Sequence, residues 1–249
     1  MSTQAAPSQL TSPATGDSMP GVDANTVADV NQAVAAARAA QPVWGALSLA
    51  ERTTRLRAVA SAILERADEI VDILARETGR STLAARFPEV AIVGDYARTA
   101  GKVAASALAP EKIKLSSLDL PGKRGVIERA PRGVVGIIAP WNYPLLQLYK
   151  PLFPALLAGN TVVIKPSEHT PHSAAWLASV CRDLLGANVV QVVQGGGDIG
   201  SALIDAGIDA LTFTGSVATG RKVAAQAAHH LIPCSVELGG KDAAIVLPD

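Results

Sequence analysis

The chain has 249 residues, 49% of them apolar, and its 22 basic and 22 acidic side chains balance to zero formal charge. That length and apolar content can fill one large core or two small ones, and the charge balance gives no reason to expect nucleic acid or an anionic membrane as partner. The first basic residue is Arg38, every long apolar run is interrupted by Pro, Lys or Gln, and the two cysteines lie far apart. A secretory leader, a membrane span and a disulfide framework are therefore not expected, and a soluble cytoplasmic protein is.

Residues 1–20 are rich in Ser, Thr, Pro, Gln and Ala, a composition expected to stay flexible. Asn25 and Thr26 then offer N-caps to a helix carrying Val30, Val34 and Ala37 at helical spacing. Ser48 with Glu51 forms a capping box that opens a second helix through Leu56, Val59 and Ile63. A third runs through Ile70, Ile73 and Leu74 to Gly79, and Pro88 suits the first turn of a fourth, with Val90, Val93 and Ala97 on one side. From 112 to 130 the period changes to two: Ile113 and Leu115 alternate with lysines, Pro121-Gly122 makes a turn, and Val126-Ile127 returns. This predicts a protruding β-hairpin, and an isolated hairpin needs a partner sheet. A subunit contact and a solvated edge both remain open for it.

The stretch from Gly133 to Glu168 organises the rest. Two β-branched runs, Val134–Ala139 and Thr161–Ile164, suit strands buried on both faces, and the segment between them is long enough for a crossover helix capped by Gly159. Pro151 and Pro154 predict that this helix is broken or starts late. After Lys165 the alternation continues: a helix from Ser173 to Leu185, a strand over Val189–Val193 and a short helix over Ser201–Ala206. Then come a strand over Ala210–Phe213, a helix over Val217–Ala228, and extended segments at Ser235–Leu238 and Ala243–Leu247. Alternating β and α elements with short connections predict an α/β fold with a doubly wound parallel sheet.

Ligands bind outside the carboxyl ends of strands in such sheets, which draws attention to the polar residues placed there. Gly195, Gly197 and Gly200 satisfy a dinucleotide fingerprint, but two strands already lie upstream, whereas that fingerprint normally marks the first βα turn. Gly215-Ser216, between a strand and a helix, is better placed to hold phosphate; Ser216 can also cap its helix, and the two roles are compatible. Lys165 and Glu168 end a strand and can form an ion pair. Asn142 occupies an otherwise apolar turn, and Glu237 precedes Gly239-Gly240, which leave a carboxylate accessible. Cys181 falls on an apolar helix face with Leu177 and Leu185, and Cys234 lies on the opposite strand face from Glu237. His169, His172, His229 and His230 lack companion ligands, so no metal site is expected.

Four motifs, P-W-N-Y-P at 140–144, K-P-S-E at 165–168, F-T-G-S at 213–216 and E-L-G-G-K at 237–241, together resemble the NAD(P)-dependent aldehyde dehydrogenase superfamily in order and spacing. Ser12–Gly16 resembles that family's opening strand–turn, which implies that part of the tail orders against the body, and Glu77-Thr78-Gly79 recurs in the family, so the likeness runs from about Ser12 to Asp249. It implies a Rossmann-like sheet with an N-terminal helical layer, an NAD-binding domain over 21–249, and a hairpin used in subunit contacts of a homo-oligomer, dimer or tetramer. It assigns Trp141 and Ser216 to the pyrophosphate, and Lys165 and Glu168 to the adenosine ribose. Gly197 and Gly200 fall near the adenosine half. Ile138, Ala139, Pro140, Ser167, Phe213, Thr214, Gly215, Leu238 and Gly239 are implied as the remaining cofactor contacts. A carboxylate at 168 accepts from a ribose 2′-hydroxyl and repels a 2′-phosphate, favouring NAD over NADP. By the same resemblance Asn142 donates to the oxyanion and Glu237 is the general base. The family's nucleophilic cysteine follows that glutamate by roughly three dozen residues, beyond Asp249. The implied function is oxidation of an aldehyde to a carboxylic acid with NAD, by a chain that is inactive alone; a dinucleotide-binding or assembly module without catalysis is the alternative.

Overall fold

A computed structural model describes residues 9–116 and 122–247. Val134–Ile138 (β5) and Thr161–Lys165 (β6) are buried along their whole length and pair in parallel, with Ile138 opposite Lys165. β-branched side chains at nearly every position leave no solvent face, so both faces must be covered. Val190–Val192 (β7) extends the sheet beyond β6; Ala210–Gly215 (β8) and Cys234–Leu238 (β9) extend it from the other side of β5. All five strands are parallel, in the order β7-β6-β5-β8-β9. The chain thus winds outward from β5 twice, in opposite directions, and the switch point lies between β5 and β8.

Alternation along the strands sorts the core into two halves. Val135, Ile137, Val162 and Ile164 pack with the helices Pro144–Leu157 (α6) and Pro171–Leu185 (α7). Val134, Ile138, Val163, Leu211 and Phe213 face the other side, with Val27–Gly45 (α1), Gly197–Asp205 (α8) and Val217–His229 (α9). Gly136 leaves room for that second packing: a Cβ there would stand 2.6 Å from Ile208 Cδ1, so the isoleucine side chain would have to shift. The helices Leu49–Glu65 (α2), Ala67–Thr78 (α3) and Val93–Ala107 (α5) form a further layer over α6 and α7. Thr26 with Asp29 and Ser48 with Glu51 make the capping boxes that start α1 and α2. Trp44, in the last turn of α1, donates its indole N–H to the Leu156 carbonyl at 3.0 Å, and Arg52 donates to the carbonyls of Leu157, Gly45 and Leu47. The N-terminal helices are thereby fastened to the end of α6 through carbonyls of its last turn.

Several expectations are corrected. Helix α6 is neither broken nor late, running from Pro144 through Pro151 and Pro154. Proline at 154 removes the N–H that would serve the Lys150 carbonyl, and Tyr96 supplies its hydroxyl there instead, at 2.7 Å. The helix ends as expected at Gly159, whose φ of +87° admits the left-handed turn, with Asn160 N–H to Ala155 O and Gly159 N–H to Leu156 O. Pro88 lies not in the first turn of α5 but in a π turn, Phe87–Ala91, after the short helix Thr82–Arg86 (α4). It cannot donate to the preceding α turn, and the chain widens there. Helix α8 starts at Gly197, a turn earlier than expected.

At the start of the chain Leu10–Thr11 (β1) pairs with Ser18–Met19 (β2) and Ser12 is buried, so this part of the expected flexible tail is ordered; residues 1–8 of it lie outside the described residues. Glu111–Ile113 (β3) and Gly125–Ile127 (β4) form the expected antiparallel hairpin; Pro121 of its turn is outside the described residues. Ala243–Leu247 forms no strand, and Ile245 and Val246 are 89% and 91% exposed, with no neighbouring strand to pair with among the described residues. No helix among the described residues is long and apolar enough to cross a membrane.

Candidate cofactor and catalytic site

The sheet register brings the sequence-selected residues to one end. Ile138 stands between Lys165 on β6 and Phe213 on β8, and Phe213 stands opposite Val236 on β9. One residue further out Thr214 faces Glu237, then Gly215 faces Leu238, and Gly239 N–H donates to the Gly215 carbonyl at 3.2 Å. Three strand spacings separate the Lys165 and Glu237 strands, about 14 Å at the ordinary inter-strand distance. The two ends also differ in face. Ile138 and Phe213 belong to the α1/α8/α9 core and Leu238 lies against Gly220 of α9. Glu237 instead lines an open groove of about 490 Å³ on the α6 side, with Tyr96, Gln147, Lys150, Thr212, Thr214 and Ser235. A ligand touching both ends must cross over the strand termini.

At the β6 end, Lys165 is buried while its Nζ lies 3.4 Å from Glu168 Oε2, and Glu168 is half exposed. Burial pushes the lysine below its ordinary pKa, against the attraction of Glu168 and of Asp198 in the first turn of α8. Burial also opposes ionisation of Glu168, but its own backbone N–H together with the charges of Lys165 and His169 holds the carboxyl below the usual range. With Nζ 3.4 Å from Oε2 the two side chains pair at the end of β6, a donor and an acceptor side by side. Ala139 N–H donates to the Lys165 carbonyl at 3.1 Å, and buried Ser167 accepts from His169 N–H at 3.3 Å, which fixes the turn that carries Glu168. Helix α8 begins here at Gly197 without a side-chain cap, and a Cβ on Gly200 would sit 4.0 Å from Lys165 Cδ. The Gly195-to-Gly200 fingerprint thus follows β7 at the sheet edge rather than β5 at the switch point.

Between the two ends stand Pro140, Trp141 and Ser216. Trp141, in the β5–α6 turn, is 58% exposed. Ser216 caps α9, its Oγ accepting from Thr219 N–H at 3.2 Å, and it is exposed beside the first turn of that helix. The capping role expected of Ser216 is present, with the free backbone N–H groups of the helix start adjacent.

Asn142 is exposed in the same turn as Trp141, and its side chain makes no hydrogen bond among the described residues. Its backbone carbonyl accepts from Arg80 Nη2. Arg80 and its ion-pair partner Glu89 escaped the sequence reading; the signal for Glu89 was a carboxylate set between Pro88 and Val90 in an apolar run. Glu77, noted only as part of a recurring triplet, is a second buried carboxylate, accepting from the first N–H groups of α7 at His172 and Ser173. Cys181 is buried among apolar side chains, its thiol pushed up to about 12 by that burial. Cys234 is half buried against the α9 side, its pKa raised by burial, and so lies across the sheet from Glu237. His230 pairs with Asp205 at 2.9 Å and His172 contacts the Pro20 carbonyl; no group of metal-ligating side chains occurs among the described residues.

A doubly wound parallel sheet, with donors and acceptors ranged along its carboxyl ends and two uncapped or serine-capped helix starts beside them, defines a dinucleotide-binding α/β fold. The aldehyde dehydrogenase family model matches residues 1–249, and the chain belongs to that family. It is 40% identical over 249 residues to a 3,6-anhydro-alpha-L-galactose dehydrogenase of Streptomyces coelicolor, covering 95% of this chain and 48% of that protein. Among solved structures it resembles PnpE in complex with nicotinamide adenine dinucleotide, with 35% identity, a TM-score of 0.89 and coverage of 96% of this chain and 48% of that one. It likewise resembles a mutant aldehyde dehydrogenase C of Pseudomonas syringae in complex with NAD+ and octanal, with 35% identity, a TM-score of 0.85 and coverage of 97% and 48%. The chain spans about half the length of these relatives.

Proposed function

We propose that this chain is the cofactor-binding half of an enzyme that oxidises an aldehyde to a carboxylic acid with NAD through a cysteine thioester. The observation that carries this is the buried Lys165 ammonium beside the Glu168 carboxylate at the end of β6, in register with Ile138 and Phe213. That donor–acceptor pair fits a ribose diol: the ammonium donates to one hydroxyl and the carboxylate accepts from the other. Ser216 and the N–H groups at the start of α9 fit a diphosphate, and the strand termini carry the molecule across toward Glu237. Gly197, Gly200, Ser167, Ala139, Pro140, Trp141, Thr214, Gly215, Leu238 and Gly239 complete this proposed cofactor surface. NAD would supply the hydride acceptor.

The chain's own residues would do the rest from fixed positions. Asn142 donates its side-chain amide to the oxygen that becomes negative when a thiolate adds to the aldehyde. Glu237 takes a proton from water as that water cleaves the thioester, releasing acid and thiol. Neither Cys181 nor Cys234 is placed to be that thiol, so it is assigned to a part of the protein outside this chain. The whole protein is proposed to act in the cytoplasm as a homo-oligomer, dimer or tetramer. The exposed Ile113, Val126 and Ile127 of the β3–β4 hairpin would serve as its contact.

Glu168→Ser tests the ribose assignment. Steady-state efficiencies with NAD and NADP, measured on the whole protein, should converge by about tenfold or more, equivalent to at least ~1.4 kcal/mol, because the repulsion toward a 2′-phosphate and one hydrogen bond are both lost. An unchanged ratio removes Glu168 from the ribose site.

A further inference from the structure

The turn that carries Asn142 is held from a segment more than fifty positions earlier in the chain. Helix α6 begins at Pro144 behind Tyr143, which offers no side-chain cap, and no acidic residue occupies its first turn. Glu89 fills that gap from the π turn: its Oε2 accepts from the N–H groups of Leu145 at 2.8 Å and Leu146 at 3.2 Å. Its other oxygen, Oε1, accepts from Arg80 Nη1 at 3.1 Å. The second Arg80 nitrogen, Nη2, donates to the Asn142 carbonyl, and the guanidinium lies 3.9 Å over the Tyr143 ring. One ion pair therefore engages four of the five residues from 142 to 146. Glu89 is fully buried and both its oxygens are used, while the Asn142 side chain is exposed and makes no hydrogen bond among the described residues. Arg80 thus holds the backbone from which that amide projects, while no described residue bonds the amide itself.

Glu77 gives the internal comparison. It caps α7 as Glu89 caps α6, receiving the His172 and Ser173 N–H groups, but among the described residues no arginine links it to the residues ahead of that helix. Capping by a buried carboxylate is a device of this scaffold; the reach of Arg80 to Asn142 is additional to it.

We infer that Arg80 and Glu89 are positioning residues for Asn142, clamping the 141–143 turn so that its side-chain amide meets the oxygen on which negative charge develops. This rests on the proposed role of Asn142 as oxyanion donor. A fork that grips a carbonyl and stacks on a ring fixes both position and tilt, which a lysine cannot reproduce. Misplacing a reacting group by about 1 Å can cost roughly 10²-fold in rate.

The test is a double-mutant cycle on the whole protein, with kcat, the KM for NAD and thermal melting measured for wild type, Arg80→Ala, Asn142→Ala and the double variant. Asn142→Ala should lower kcat by roughly 10²–10³-fold. Arg80→Ala should lower kcat by roughly 10- to 100-fold with the KM for NAD unchanged, and should cost nothing further once Asn142 is alanine. Arg80→Lys should remain near the Arg80→Ala value. The same cycle with Glu89→Gln serves if Arg80→Ala does not fold, and Glu77→Gln should lower melting while leaving kcat alone. An equal loss from Arg80→Ala in both backgrounds, or a loss confined to the KM for NAD, reduces the clamp to scaffolding and overturns the inference while leaving the oxyanion assignment standing. An Asn142→Ala variant with unchanged kcat removes that assignment and the inference with it.

Discussion

Glu237→Gln in the whole protein is expected to give a burst of NADH followed by steady turnover slower by roughly 10²–10⁴-fold, a barrier increase of roughly 3–5 kcal/mol. The carboxylate is exposed at the end of β9, opposite Thr214, and makes no hydrogen bond or ion pair among the described residues. Gln preserves its volume and removes only the ability to take a proton at neutral pH. Folding and NAD affinity should accordingly be retained, since no contact is lost. Thioester formation should proceed and its hydrolysis should stall, which is what separates the burst from the steady rate. Stopped-flow NADH traces beside a melting curve decide the matter: a destabilised variant with every activity reduced in proportion would make Glu237 a structural residue.

The second large effect concerns Glu89 and pH. Burial raises its carboxyl to about 7, against the pull of the Leu146 and Leu145 N–H groups and of Arg80, and Glu77 adds to the rise. Tyr149 faces the same group and is itself raised, by burial first and by Glu89 second. A carboxyl whose folded pKa exceeds its unfolded value contributes stability that is complete below the unfolded pKa, near 4.5, and is lost as pH rises toward 7. Ionisation of Glu89 should therefore cost roughly 3 kcal/mol across that window, at about 1.4 kcal/mol per pKa unit. Glu89→Gln mimics the neutral acid and should remove this component. Denaturant unfolding of the two proteins from pH 4.5 to 8 should show wild type losing ground to the variant over that range; parallel curves would mean that the α6 helix start and Arg80 hold Glu89 ionised throughout.

Much of this architecture could be read locally. Thr26 with Asp29 and Ser48 with Glu51 announce their helices through contacts three residues apart. Val134–Ile138 and Thr161–Lys165 declare a two-sided burial that a parallel sheet satisfies. Elements that depend on distant partners were misjudged. Two prolines predicted a break in α6, and the helix persists because Tyr96, far off in sequence, serves one freed carbonyl and the apolar face of α6 packs fully against the sheet. Ala243–Leu247 has a strand's composition but no strand beside it among the described residues. Of the site, the motif residues at the strand ends were legible because strand termini place them regardless of detail. Arg80, Glu89, Arg52 and the capping role of Glu77 were not, since a buried charge declares its purpose only through the backbone groups it meets, here on α6 and α7.

That a dinucleotide lies across the strand ends from Lys165 toward Glu237 is tested most directly by tryptophan fluorescence. Of the three tryptophans, Trp44 and Trp176 are buried in the core and Trp141 alone stands exposed at those ends. Titration with NADH should quench emission saturably in wild type and should lose that component in Trp141→Phe. Lys165→Ala should raise the Kd by about tenfold or more, the loss of one charge-assisted hydrogen bond worth roughly 1.5–3 kcal/mol. Binding that leaves the Trp141 emission untouched, or that is indifferent to Lys165→Ala, would place the cofactor elsewhere.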